Sequence, residues 1–351
     1  MNFKEEQLKK IEILSNAPGI SGFEEEVVQE LMDMAGDLPH EKDLMQNLYL
    51  GRYEGEGLKI MLDGHSDEVG FMVQSINDNG TLNFVDIGGW HLPNITAQRV
   101  QVRGEGGYHL GIVGSIPPHY LKDKSAGLTH DALTIDVGAS SREEVLAMGI
   151  ALGAPIVPDS KFSYDEERDL LIGKAFDNRL GSLAALTVLQ ALEGGERDHV
   201  MAAIATQEEV GLRGASVTAR RLQPHVAISF EGCPADDTFT LKGLAQTVLG
   251  AGPMLRYFDS TMITHPGLQR FAMEVAKEEG IPVQGAVRTG GGTNAGAIYT
   301  AAGVTPTIVI GIPVRYAHTH TGLAKYSDYE NAVKLGIAIV KKLIEEDSFA
   351  Q

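Results

Sequence analysis

Five short apolar segments, each followed at once by acidic or histidine residues, constrain the fold of this chain more than any other feature. Uninterrupted apolar runs of this length are typical of strands that are buried on both faces of a sheet. Helix-like patterns alternate with them, which predicts an α/β fold with a mixed sheet flanked by helices. The segments cover residues 58–62, 200–205, 226–230, 307–312 and the start of 171–192. Because ligands bind at the carboxyl edge of such sheets, the polar residues that follow these strands predict a site there.

The pattern changes between residues 71 and 164. Short β-rich runs are separated by Gly, Pro and Asn at 81–84, 99–103, 111–116 and 132–137, and only 142–148 has a helical pattern. This alternation is typical of a small barrel or sandwich. We therefore predict one α/β domain, residues 1–70 and 165–351, interrupted by an inserted β-rich domain at 71–164.

The net negative charge of the chain argues against some classes of binding partner. The formal charge is −18, from 47 acidic and 29 basic residues. Nucleic acid and anionic membrane surfaces would repel such a chain, so neither is an expected partner.

Cys233 is the only cysteine and cannot form an internal disulfide. The first residues lack the apolar stretch of a signal peptide and no apolar run is long enough to cross a bilayer, so the expected location is the cytoplasm.

Two segments carry helix-start signals. The run from Ser21 to Glu24 is a capping-box pattern and predicts the start of a helix. Asp177 and Asn178 stand before an apolar pattern with helical spacing, where a side-chain oxygen would cap that helix. Two interpretations of Asp177 remain open at this point: it is only a helix cap, or it is a carboxylate held rigidly at the ligand-binding edge of the sheet.

The other polar residues at the strand ends each have an ordinary structural explanation. A single histidine such as His65 is more often part of a hydrogen-bonded structure than a ligand. Glu208, Glu209 and Glu231 could be solvated charges at helix starts, and His318 could be a loop residue. Their conjunction favours a bound cation, because adjacent carboxylates at the end of an apolar strand repel one another unless a cation or a proton offsets them.

The residue types limit which cation such a site would hold. Imidazole and carboxylate ligands without a thiolate suit Zn²⁺, Co²⁺ or Mn²⁺ and argue against a structural zinc site, which usually uses cysteine. Two ions bridged by one carboxylate can activate a water molecule and polarise a carbonyl together. Asp177 is the natural bridge in this arrangement.

Five motifs occur together along nearly the whole chain. They are His65-Ser66-Asp67-Glu68-Val69-Gly70, Ala175-Phe176-Asp177-Asn178-Arg179, Gln207-Glu208-Glu209-Val210-Gly211, Gly290-Gly291-Gly292-Thr293-Asn294-Ala295-Gly296 and Arg315-Tyr316-Ala317-His318. In order and spacing this set resembles the tetrahedral, glutamyl-aminopeptidase-like metallopeptidases, cytosolic enzymes that have sometimes been labelled endoglucanases. The resemblance implies a zinc-exopeptidase-type fold with an inserted β-barrel-like domain.

The resemblance also implies two divalent ions per subunit, Zn²⁺ first, with Co²⁺ or Mn²⁺ as alternatives. The implied ligands are His65, Asp177 and Glu231 for one ion and Asp177, Glu209 and His318 for the other, with His320 as a reserve for His318. At position 231 many relatives carry Asp instead of Glu. Among residues that bind no metal, Asp67 would orient the His65 imidazole and Glu208 would be the general base. Gly290, Gly291, Gly292 and Thr293 would contact the substrate.

The implied activity is the removal of N-terminal residues from peptides with a free N-terminus. A related metal-dependent deacylase or carboxypeptidase, a glycosidase with paired carboxylates and a non-catalytic metal-binding scaffold are the alternatives. Arg256, Arg288 and Lys242 could favour acidic N-terminal residues, but the choice among acidic, basic and neutral residues stays open. The family further implies a homo-oligomer, often a tetrahedral dodecamer, in which the inserted domain mediates assembly and access.

Overall fold

The computed structural model describes residues 2–54, 56–117, 119–120 and 128–347. Its strands are β1 (His40–Lys42), β2 (Leu48–Gly51), β3 (Ile60–His65), β4 (Gly70–Ile76), β5 (Thr81–Ile87), β6 (Arg99–Gly104), β7 (Gly107–Val113), β8 (Ile135–Asp136), β9 (Pro155–Pro158), β10 (Ser163–Asp165), β11 (Leu170–Gly173), β12 (Val200–Ala205), β13 (Val226–Pro234), β14 (Met254–Phe258), β15 (Gln284–Val287), β16 (Thr307–Arg315) and β17 (Gly322–Lys325). Its α-helices are α1 (Phe3–Asn16), α2 (Glu25–Ala35), α3 (Arg142–Ala147), α4 (Phe176–Ala191), α5 (Arg213–Leu222), α6 (Pro266–Glu278), α7 (Asn294–Ala301) and α8 (Tyr326–Glu346).

A large mixed sheet forms the centre of the molecule. Its strand order in the described residues is β1-β2-β12-β3-β13-β16-β17-β11-β10, and β14 and β15 extend from β16. β3, β12, β13 and β16 are parallel neighbours. β11 runs in the same direction, because it is antiparallel to β17, which is itself antiparallel to β16. The five apolar strands predicted from the sequence therefore end at one edge of the sheet, and the mixed α/β fold is confirmed.

Helices cover both faces of this sheet because alternate residues of each strand point to opposite layers. In β12, Ala202 and Ile204 pack into the core that contains α1, α2, α4 and α8. Ala203 and Ala205 pack on the other side, against α5 and α7. Burial on both faces explains why these strands read as continuous apolar runs.

The segment between β3 and β10 contains a closed six-stranded barrel with the strand order β4-β5-β8-β7-β6-β9. The barrel has a hydrophobic core of its own, which includes Phe71, Leu82, Val100, Val113 and Ile156. The expected small β structure is thus a barrel, and α3 is the helix predicted within it. In the described residues, no helix combines the length and the apolar character needed to span a membrane.

Candidate metal centre

The five candidate metal ligands meet at the carboxyl edge of the sheet. β3 ends at His65, and Glu231 lies in β13 beside it. Glu209 follows the end of β12, Asp177 lies in the first turn of α4, and His318 lies in the loop between β16 and β17. Five separate elements therefore each supply one side chain to the same place.

Asp177 lies between the two histidines. Its Oδ1 is 3.2 Å from His65 Nε2, and its Oδ2 is 3.5 Å from His318 Nε2. Each imidazole also faces a glutamate: His65 Nε2 is 3.2 Å from Glu231 Oε1, and His318 Nε2 is 3.3 Å from Glu209 Oε2. One carboxylate thus joins two histidine–glutamate pairs.

Asn178, the residue after Asp177, supplies the side-chain oxygen that caps the helix. Its Oδ1 accepts hydrogen bonds from the amides of Gly181, at 3.0 Å, and Gly232, also at 3.0 Å, and its Nδ2 donates to the Phe230 carbonyl. Asp177 and Asn178 have non-helical dihedral angles inside α4, and the peptide bond between them is cis. The cap interactions leave both Asp177 oxygens facing the histidines.

Asp67 supports the site through contacts with the His65 ring, with two backbone amides and with the Ser21 hydroxyl. Its carboxylate lies 3.3 Å from His65 Nδ1, and the His65 ring nitrogen is also 3.2 Å from the Asp67 carbonyl. The same carboxylate accepts the backbone amides of Glu208, at 3.0 Å, and Glu209, at 3.1 Å. Ser21 Oγ donates to it at 2.6 Å. Asp67 therefore makes the predicted contact with His65 and also fixes, through hydrogen bonds, the loop that carries Glu208 and Glu209.

Ser21 illustrates what the sequence pattern missed. The predicted capping box would have used its hydroxyl at a helix start, but α2 begins at Glu25 after Glu24 and has no side-chain cap. The Ser21 hydroxyl is bonded to Asp67 instead, and Glu24 Oε1 accepts the amide of Gln207 at 3.0 Å. The loop before α2 is thus part of the support for the site.

The electrostatic environment of the cluster favours positive charge within it, on a protonated side chain or a bound cation. Burial, together with nearby carboxylates, raises the pKa of Glu209 to about 8 and that of Glu231 to about 7. Burial disfavours the charged form of His318, yet its hydrogen bond to Asp177 and the charge of Glu209 raise its pKa to about 10. Burial likewise opposes ionisation of Asp177, but hydrogen bonds from His318 and His65 hold its pKa well below the usual range.

Glu208 is the remaining carboxylate at this edge. Its Oε2 is 3.9 Å from His65 Nε2, farther than the oxygens of Asp177 and Glu231. Burial and the neighbouring carboxylates Glu231 and Glu209 raise its pKa well above the ordinary value, although the charge of His65 opposes this shift. A buried carboxyl group with a raised pKa that lines a cavity has the properties of an acid–base catalyst.

The donors fit a divalent cation. Two overlapping sets of ligand atoms each lie within 4.8 Å of one another, one from His65, Asp177 and Glu209 and the other from His65, Glu208 and Glu231. These distances group the donors differently from the ligand sets that the resemblance implies, and one group includes Glu208. Glu231 Oε2 is buried and has no hydrogen-bond partner in the described part of the chain. Buried carboxylates without a counter-charge are unfavourable, and nitrogen and oxygen donors without sulfur suit Zn²⁺, Co²⁺ or Mn²⁺.

A cavity of about 700 Å³ opens onto this cluster. Gly290, Gly291, Gly292 and Thr293 line it together with Glu208, so the structure places the glycine run beside the candidate base. Arg256 and Arg288 also line it, but both carry acidic partners: Arg256 Nη1 is 2.9 Å from Asp259 Oδ2, and Arg288 Nη1 is 3.5 Å from Asp236 Oδ2. Lys242 is exposed on the surface and is not among the residues that line the cavity.

The comparison with known proteins decides the family. The family model of the M42 glutamyl aminopeptidases matches residues 47–335. The chain belongs to the M42 family. It is therefore a peptide hydrolase of an aminopeptidase family, and M42 aminopeptidases are metallopeptidases.

Two M42 relatives are named for different amino acids, one as a glutamyl and the other as a lysyl aminopeptidase. The glutamyl aminopeptidase of Lactococcus lactis subsp. cremoris is 32% identical in an alignment of 352 positions that covers 97% of this chain and 98% of that protein. The lysyl aminopeptidase of Pyrococcus furiosus is 33% identical in an alignment of 350 positions that covers 96% of this chain and 97% of that protein.

Solved structures share the whole M42 fold. The TET aminopeptidase of the marine sediment archaeon Thaumarchaeota archaeon SCGC AB-539-E09 is 37% identical, with a TM-score of 0.91 and 98% of each chain covered. The TET1 peptidase of Pyrococcus horikoshii, which can assemble into a tetrahedron or a large octahedral shell, is 29% identical, with a TM-score of 0.84 and 95% and 98% covered. A Thermotoga maritima protein named an endoglucanase is 27% identical, with a TM-score of 0.76 and 96% and 99% covered.

His320 is placed differently from the other candidate ligands of this M42 chain. Its ring lies 5.2 Å from the Trp90 ring and 6.4 Å from the Phe71 ring, and neither ring nitrogen has a hydrogen-bond partner in the described residues. Burial lowers the pKa of His320 to about 4. His318, and not the reserve His320, is the histidine that faces Asp177 and Glu209.

Proposed function

We propose that this M42 protein removes N-terminal residues from peptides with two divalent ions, held by His65, Asp177 and Glu231 and by Asp177, Glu209 and His318. The position of Asp177 between two histidine–glutamate pairs is the observation that carries the proposal. Zn²⁺ is the proposed native ion, with Co²⁺ and Mn²⁺ as alternatives that the same donors accept. Such ions, when bound, polarise the scissile carbonyl and lower the pKa of a water molecule.

Glu208 is the proposed general base. It takes a proton from the attacking water and delivers it to the departing amine, which requires a carboxylate that binds no metal itself. Its position supports this role, because its side chain lines the cavity and lies farther from His65 than the two carboxylates that face that ring. Asp67 fixes the backbone at Glu208 and so sets the direction of the base.

The cavity is the proposed binding site for the N-terminal residue of the substrate. Gly290, Gly291, Gly292 and Thr293 form one wall and carry no large side chains, so the peptide backbone can approach them closely. Thr293 also caps α7 by accepting the Ala295 amide at 3.3 Å. This cap supports the proposal that the wall keeps its conformation when the substrate binds.

Assembly is the third part of the proposal. We infer a homo-oligomer, a tetrahedral dodecamer, in which the inserted β-rich domain at 71–164 mediates contacts between subunits and controls access to the catalytic domain at 1–70 and 165–351. The support comes from the TET1 peptidase of Pyrococcus horikoshii, which can assemble into a tetrahedron. The cytoplasmic location stays a prediction.

The decisive test compares two neighbouring variants, Glu208→Gln and Glu209→Gln. We expect Glu208→Gln to retain both ions and to lose about 10²- to 10⁴-fold in kcat, because only proton transfer is removed. Glu209→Gln is the matched control and is expected to lose an ion, measured by metal analysis after dialysis. A near-normal rate for Glu208→Gln would remove Glu208 from the mechanism.

A substrate panel tests the reaction class. Metal-stripped protein is loaded with Zn²⁺, Co²⁺ or Mn²⁺ in turn and given aminoacyl anilides with acidic, basic and neutral residues, N-blocked peptides and glycans. We expect turnover of substrates with a free α-amine only. Turnover confined to blocked peptides or glycans would replace the aminopeptidase by a deacylase, a carboxypeptidase or a glycosidase.

A further inference from the structure

His318 is the least supported of the proposed ligands. The others lie in or next to strands and in the first turn of α4, and their side chains are no more than 14% exposed. His318 lies in a loop, its side chain is 38% exposed, and its backbone has a φ of 57°. A left-handed conformation is unfavourable for a residue with a Cβ, so neighbouring contacts must hold it.

A backbone carbonyl from the barrel side supplies one such contact. His318 Nδ1 lies 2.9 Å from the carbonyl oxygen of Gly89, which follows β5. A carbonyl only accepts, so Nδ1 carries the proton, and Nε2 faces Asp177 and Glu209. When the ring is neutral, this bond selects the tautomer whose Nε2 lone pair can bind a metal.

The two glycines before Trp90 fit closely against the ligands. Gly88 has a φ of 81°, and a Cβ there would lie 2.6 Å from Val69 Cγ1 and 3.3 Å from Glu209 Cβ. A Cβ on Gly89 would lie 3.3 Å from His318 Nδ1. The Gly88–Gly89 backbone thus packs against two ligands of the same proposed ion, and larger residues would displace it.

Trp90 anchors this short loop through one hydrogen bond and two ring contacts. Its Nε1 donates to the Gly70 carbonyl at 3.0 Å, and its ring stacks on Phe71 with centroids 4.7 Å apart and planes 23° apart. The Trp90 ring also contacts the ring of His320, two residues after His318, with centroids 5.2 Å apart. The ring nitrogens of His320 have no hydrogen-bond partner in the described residues, so the aromatic contacts are what hold its side chain.

We propose that Trp90 is a positioning residue for the ion of Asp177, Glu209 and His318, acting through the Gly89 carbonyl and the His320 ring. The barrel thereby supplies part of the support of the metal centre within one chain. This inference rests on the proposed function, because it assumes that His318 binds metal. It assigns Trp90 no contact with the substrate.

The test is a Co²⁺ titration of the metal-stripped full-length protein, followed by visible absorption and calorimetry, with no substrate present. Trp90→Ala is expected to weaken the affinity of one ion by about 10- to 100-fold, the range typical of partners that orient ligands, and to leave the other ion unchanged. Ile135→Ala is the matched control, because Ile135 pairs with Leu82 at the start of β5, whereas the Gly88–Gly89 loop follows the end of that strand. It is expected to lower thermal stability without changing either affinity.

His318→Ala separates this proposal from the proposed function. It should lose the same ion as Trp90→Ala weakens, and adding Trp90→Ala to it should change nothing further. Two wild-type affinities in His318→Ala would contradict the ligand assignment itself. A normal His318→Ala loss with wild-type affinities in Trp90→Ala, or with equal weakening of both ions, would overturn the role of Trp90 alone.

Trp90→Phe keeps the question decidable if Trp90→Ala does not fold. It retains a ring on Phe71 but removes the N–H that bonds Gly70. We expect a selective weakening of a few fold at the same ion. Unchanged affinities at both ions in this variant would overturn the proposal.

Discussion

At the scale of single residues, the division of labour between Asp177 and Asn178 is the central result. Asn178 takes the capping hydrogen bonds, so the two oxygens of Asp177 each face one histidine. A carboxylate has lone pairs enough for two partners, whereas an amide offers one oxygen. The position therefore requires a carboxylate if it is to join two ions.

Asp177→Asn tests this requirement. We expect loss of both ions and of activity, because the bridge belongs to both proposed ligand sets. Metal content after dialysis is the measurement, and Asp78→Asn, a change of the same type on a fully exposed side chain, is the control. A variant that kept two ions would refute the bridging role.

At the scale of residues, the sequence indicates which strand ends meet at one edge of the sheet, but it does not indicate partners that are distant along the chain. His65, Glu231 and Glu209 follow or end apolar strands, so their convergence could be inferred from strand polarity alone. Ser21 meets Asp67 across 46 positions, and His318 meets Gly89 across 229. Neither the capping pattern at Ser21 nor the glycine at position 89 indicates such a distant partner. Only the structure reveals these contacts.

At the scale of elements, a buried ion-pair network ties the segments around the site together. Glu68 Oε1, between β3 and β4, accepts from Lys174 Nζ at 2.5 Å, from Arg179 Nη2 at 3.1 Å and from the Gly19 amide at 3.2 Å. Lys174 and Arg179 flank Asp177 in sequence, and Arg179 also donates to the Leu14 carbonyl in α1. One carboxylate thereby connects α1, β4 and α4.

Glu68→Gln should destabilise the protein strongly. Removing one member of a buried pair leaves uncompensated charge and costs about 3–5 kcal/mol. Urea unfolding of the metal-free protein measures the loss. The control is Glu330→Gln, which breaks the exposed Glu330–Lys334 pair of α8 and is expected to cost less than about 1 kcal/mol. Equal losses in both variants would contradict the structural role of Glu68.

At the scale of the whole molecule, metal and stability are linked. The site gathers two histidines and three carboxylates from five separate elements, and a ligand that binds only the folded chain stabilises it by mass action. A free ion concentration of 1,000 times Kd should add about 4 kcal/mol to the free energy of unfolding. We expect the Tm to fall on chelation and to return on adding Zn²⁺, measured by calorimetry. Asp177→Asn should show no such change.

Charge sets a second whole-molecule expectation. Twelve chains of 37.7 kDa would form a particle of about 450 kDa, but a charge of −18 on each chain opposes their association. Salt screens this repulsion, so the assembled fraction should rise between about 10 mM and 150 mM ionic strength. Light scattering after size exclusion measures it, and a monomer at every salt concentration would reject the dodecamer.

The order of the ligands along the chain has a consequence for synthesis. β3 and His65 are synthesised before the parallel partners of β3, which begin at Val200, and the last of the proposed ligands, His318, follows later still. The barrel, with its own core, can fold in the interval. A chain released before His318 is made would lack part of the proposed ion-binding set, so we expect it to hydrolyse no peptide.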